Sequence, residues 1–308
     1  MWAEVILQET EIDMNEFKTY HPIVNFMYFV FVIGFSCFFM HPVSLCISFA
    51  SGFIYSVMLK GKKTIKTNLI YMIPLMIITA LINPAFNHEG ASIITYLPTG
   101  NPLTLESIIY GLCASVMLVS VICHFSCYNL VMTSDKFIYL FGKIIPSMSL
   151  IISMTLRFVP RFLHQFKVVA GARKCMGRDV NSGSIIKRAK NGLEILSIVT
   201  TWAMENAIET ADSMKSRGYG TAKRTAYSIY KFDKRDIQAS VYILLLGIYT
   251  LTGSLLGGMN IQFFPCVEFN KVSLLEISVF IAYFMLCICP VIIELWEVRK
   301  WKVLTSKI

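Results

Sequence analysis

A chain of 308 residues that is 55% hydrophobic and only 15% charged, with a mean hydropathy of +0.61, lies outside the range of soluble globular proteins. Its formal charge of +9 is no nucleic-acid footprint, because no soluble basic domain with interleaved aromatics or a binding motif accompanies it. The nine cysteines fall mainly inside apolar runs, and neither His124-x-x-Cys127 nor Cys287-x-Cys289 has a second half at metal-ligand spacing, so no metal site is expected.

The composition specifies an all-α polytopic membrane protein. A helix needs about 20 apolar residues to cross a hydrocarbon core, and six stretches qualify, near 22–40, 43–59, 68–87, 106–132, 237–256 and 273–296. An acidic leader (Glu4, Glu9, Glu11, Asp13, Glu16) precedes the first, unlike the basic start of a cleaved signal peptide, so the N-terminus is expected to be retained. Basic residues gather in alternate connections: Lys60, Lys62, Lys63 and Lys66 after the second span, and Arg299, Lys300, Lys302 and Lys307 at the tail. Of the 28 Lys and Arg, 18 lie in 134–236. The intervening loops hold only Lys271. The positive-inside rule then puts the basic loops and both termini on the cytoplasmic side of the membrane.

Three parts follow in order: a four-span block at 1–133, a cytoplasmic or interfacial segment at 134–236, and a two-span block at 237–308. The middle part repeats apolar residues at helical spacing. Ile145 to Phe166 is apolar but broken by Pro146, Arg157, Pro160 and Arg161, and as a seventh span it would carry the basic stretch after it across the membrane. An amphipathic helix along the membrane face is therefore predicted, with Phe158, Phe162 and Phe166 on one side and a kink or break at Pro160. A second helix is predicted from about Ile185 to Arg217. Ile195, Val199 and Trp202 start its apolar stripe, and Ala203, Ala207, Ala211 and Met214 continue it with side chains small enough for a close helix crossing.

Catalytic chemistry is not visible in the chain. The nearest approach to a phosphate-binding loop, Gly61-Lys62, has Ser56 where its first glycine belongs and Lys63 where a hydroxyl residue belongs. Charged residues are scarce within the spans, whereas ion-driven carriers place them near the midplane. Each predicted middle helix closes on a small-residue string and an arginine, Ala172-Arg173-Lys174 and Ser216-Arg217-Gly218. The helix macrodipole alone favours one such cation by roughly 0.3–1 kcal/mol. Two in one segment point to a shared task, since guanidinium pairs with carboxylates as a rigid fork.

The run Arg157-Phe-Val-Pro160, the ending Ala172-Arg173-Lys174, and the stretch Ala211-x-x-Met214-x-Ser-Arg217-Gly-Tyr-Gly220 resemble the transmembrane T component of energy-coupling-factor (ECF) transporters, the EcfT/CbiQ-like family. That resemblance implies a non-catalytic subunit with no cofactor of its own. Two ABC-type ATPase subunits, which hold ATP and magnesium, would dock at Arg173 and Arg217 through the motifs 172–174 and 216–218. A substrate-binding S component would ride on the helices at Phe158, Phe162, Phe166, Trp202 and the alanine stripe, for uptake of a vitamin or transition-metal ion. The other reading is a self-sufficient secondary transporter or channel.

Overall fold

The computed structural model describes residues 15–61, 63–96, 102–142, 145–179, 183–221, 230–259, 261–269 and 273–305. Most of the acidic leader, and with it the expected retention of the N-terminus, lies outside the described residues. Two compact units form: Met1–Ser134 with Tyr230–Ile308, and Asp135–Ile229. The first unit thus joins the four-span block to the last two spans.

In this first unit a short helix, α1 (Glu16–Thr19), leads into α2 (Pro22–Phe38), α3 (Pro42–Lys60), α4 (Lys63–Phe86) and α5 (Leu105–Val131). Helices α9 (Lys234–Gly253) and α10 (Leu274–Thr305) complete it, with a wide turn at Ser254–Gly258. Two antiparallel ribbons, β1 (Ile93–Tyr96) with β2 (Pro102–Thr104) and β3 (Ile261–Gln262) with β4 (Glu268–Phe269), occupy the connections. Five helices are long and apolar enough to cross a membrane, and α2, at 17 residues, is a shorter apolar helix at the lower edge of spanning length.

Local chemistry fixes these boundaries. His21 and His41 cap α2 and α3 by accepting the amides of Ile23 and Val43, and each helix opens on a proline, which needs no amide partner there. Asp236 completes a capping box with Asp233 and also accepts the His21 amide, fastening the start of α9 to the start of α2.

The core runs through Val24, Tyr28, Phe29, Tyr55, Val131, Ile243, Tyr283 and Leu286. Beside it lies a small-residue seam that the apolar runs did not announce. On α3, Ser44, Ser48, Gly52 and Ser56 are all buried at four-residue spacing, and on α5 so are Ser107, Gly111, Ser115, Val119, Cys123 and Cys127, all small but Val119. In lipid, helices associate by close packing and short polar contacts, and small side chains supply both. Ser48 is the hub: its hydroxyl pairs with Ser36 of α2, with Ser120 at 2.6 Å and with His124 Nε2 at 3.1 Å, while Ser36 reaches Tyr283 of α10 at 3.2 Å. Helix α4 packs on α5 through Ala80 and Asn83, around Gly111, and shows Ile70, Tyr71, Ile77, Ile78 and Leu81 outward, as a lipid-facing surface requires.

Candidate functional site

The second unit holds α6 (Ser134–Gly142), α7 (Pro146–Cys175) and α8 (Ile185–Ser216). Helix α8 matches the predicted limits, ending with Arg217 as its cap residue. Helix α7 is not broken at Pro160, since it runs for 30 residues with that proline inside, which overturns the break and leaves the kink as an expectation. A mid-helix proline costs about 3 kcal/mol, and contacts on either side hold the helix through it. Phe158 stacks on Phe162 at 5.8 Å between ring centres, and Phe162 meets Trp202 of α8 edge-on at 5.9 Å. Arg161 donates to Asn206 Oδ1 at 3.0 Å and lies 5.3 Å over the Trp202 ring.

The two helices end alike. Met176 caps α7 and Gly177, at φ 76°, follows it. Gly177 donates to the Lys174 carbonyl at 3.0 Å and Arg178 to the Arg173 carbonyl at 3.0 Å. At α8 the cap is Arg217 and the turning residue Gly218, at φ 82°. Gly218 donates to Lys215 at 3.0 Å and Tyr219 to Met214 at 3.1 Å. Both are Schellman motifs, which satisfy the last carbonyls and need a residue tolerant of positive φ.

The arginines themselves are placed differently. Arg173 is buried against α8, its Nη2 bonded to Glu194 Oε2. Arg178 Nη1 lies 3.5 Å from the same oxygen, and Lys174 Nζ 3.8 Å from Asp179 Oδ2. Asn191, buried in α8, donates to the Asp179 carbonyl at 3.0 Å and ties down the chain leaving α7. Arg217 is exposed, as are Ala172, Lys174, Ser216 and Gly218, and Arg217 makes no ion pair among the described residues. Glu194 and Arg178 were missed in the sequence reading. Their signal was a lone carboxylate one residue before buried Ile195, and a cation directly after the helix-ending glycine.

The buried residues of α8 among those described, Asn191, Ile195 and Val199, lie toward its start, on the same stretch as Glu194. The alanine stripe is placed otherwise than a tight crossing requires: Ala203 is half-buried, Ala207 and Ala211 are exposed, and Met214 is half-buried. Instead Ala203 and Ala207 join Phe162, Phe166, Val199 and Met204 in lining an open apolar groove of about 460 Å³. Phe158 and Trp202 stand beside it in the aromatic stack.

A body of apolar helices and a pair of long helices with arginine-bearing ends define a polytopic membrane protein. The chain belongs to the CbiQ family, described as cobalt transport protein, whose model matches residues 15–227. A stretch of 103 residues is 37% identical to the energy-coupling factor transporter transmembrane protein EcfT of Lactobacillus helveticus, covering 33% of this chain and 37% of that one. The protein of the same name from Acidaminococcus fermentans is 32% identical over 168 residues, 51% of this chain and 62% of its own length. A third, from Streptococcus equi, is 31% identical over 101 residues, 32% of this chain and 38% of its own. Each match spans less than two thirds of the relative. Family and relatives together uphold the resemblance to the ECF transporter T component drawn from the arginine motifs.

Proposed function

We propose that this chain is the energy-coupling membrane subunit of an ATP-driven importer. Two ATPase subunits hydrolyse ATP, a separate S component carries a vitamin or transition-metal ion, and this chain passes motion between them without catalysing a reaction. The observation that carries the reading is the pair of helices of 30 and 32 residues, each closed by a Schellman turn that carries an arginine. A carboxylate-lined groove on each ATPase would take one helix end, where the negative pole of the helix and a cation stand together.

Closure of the ATPase pair would move the two helix ends relative to each other. Helices α7 and α8 are tied at Arg173 and Glu194 but leave a groove along Ala203 and Ala207, so they can shear with little loss of contact. The groove and its aromatic rim, Phe158, Phe162, Phe166 and Trp202, offer the S component an apolar seat. The basic loops and both termini face the cytoplasm, where the ATPases and their ATP reside.

The test is reconstitution. Vesicles holding this chain with ATPases and S component should take up substrate only with ATP, and the purified chain alone should take up none. Uptake by the chain alone would overturn the proposal in favour of a self-sufficient carrier or channel.

A further inference from the structure

The two helix ends share one turn geometry but offer different side chains. Arg173 is the third-last residue of α7, its side chain is 10% exposed, and its fork is engaged by Glu194. Its Nε is enclosed with no hydrogen-bond partner among the described residues, so the guanidinium faces the unit's interior on more than one edge. To reach a docking partner it would have to leave the unit's interior and give up its bond to Glu194, a carboxylate that is 34% exposed and would keep only the 3.5 Å approach of Arg178. Arg178, the second residue past the helix cap, is 62% exposed, and its Nη1 keeps only a 3.5 Å approach to the Glu194 oxygen that Arg173 engages.

We infer that Arg178 is the cation that the first helix end presents to a carboxylate on the ATPase surface, and that Arg173 and Glu194 form an internal brace that positions it. This rests on the proposed ATPase docking and specifies which side chain reads it. The brace keeps Glu194 neutralised from within. Without Arg173, the carboxylate's remaining cation is Arg178, which would be drawn inward and away from the partner. Arg173 is then a positioning residue, with a signature distinct from that of a direct contact: removing both halves of the brace should undo the damage of removing one.

The experiment measures ATPase retained on the affinity-purified complex of this chain with its ATPases and S component, through a salt titration, alongside ATP-driven uptake in vesicles. R178E should lower retention at least tenfold, and R178K should keep most of it. R173Q alone should lower retention severalfold, whereas the R173Q/E194Q pair should return to within about threefold of the parent. Size-exclusion elution of each variant in detergent reports folding, and R178K and the double variant decide the matter even if R178E misfolds. A double variant as defective as R173Q, or parent-level retention by R178E, would overturn the assignment. R217E separates the two levels: if it detaches ATPase while R178E does not, only the Arg178 assignment falls. If neither variant affects attachment or uptake, the docking reading falls with it.

Discussion

Arg217 stands at the negative pole of a 32-residue helix with no carboxylate of its own chain in ion-pair reach among the described residues. Charge reversal there sets a carboxylate against the acidic groove expected on the partner. Arg217→Glu should therefore cost ATPase attachment about 2–5 kcal/mol, as for a buried charge pair that loses one member. Unchanged co-purification of ATPase would count against the contact. Gly218 holds φ 82°, a region that costs a residue with a Cβ roughly 1–2 kcal/mol. Gly218→Val should fray the last turn of α8 and weaken attachment with Arg217 still present, a loss readable as faster amide exchange at Arg217 to Tyr219. Arg217 and Gly218 were legible because cap and cation are sequence neighbours. Glu194 was not, because 21 residues separate it from Arg173 and only the pairing of two helices brings them together.

The elements were legible where periodicity is long. Helix α8 was placed to within a residue, since its apolar stripe runs unbroken from Ile195 and ends on a glycine. The break expected at Pro160 does not occur, and tertiary contacts flank that residue, Arg161 to Asn206 and Phe162 to Trp202. The alanines were read as a crossing, yet burial in α8 falls on Asn191, Ile195 and Val199, and Ala203 and Ala207 lie along a groove. Leucines at both positions should fill that groove. The double variant should keep its ATPases and lose its S component, and full uptake by it would dissociate the groove from transport. The seam between α3 and α5 was overlooked because serine, glycine and cysteine do not stand out inside hydrophobic runs. A Cβ at Gly111 would lie 2.7 Å from the Ala80 carbonyl oxygen, so Gly111→Ala should destabilise by about 1–3 kcal/mol, seen as a lower melting temperature in detergent.

At the level of the whole molecule, the spans and the arginine-ended helices fall in different compact units, so the proposed attachment and membrane residence would have separate chemical bases. The spanning unit is joined inside by serine hydroxyls, a histidine and tyrosines, from Tyr283 through Ser36 and Ser48 to Ser120 and His124, with no ion pair among these links. Electrolyte reaches exposed cations such as Arg217 and Arg178 within a Debye length of about 8–10 Å, but has little purchase on short contacts between neutral dipoles shielded from water. Washing membranes in concentrated sodium chloride should accordingly strip away nucleotide-hydrolysing companions while the embedded bundle keeps its melting point. A serine ladder thus makes the transmembrane body indifferent to brine, whereas the proposed assembly, resting on a few guanidinium groups, would yield to it.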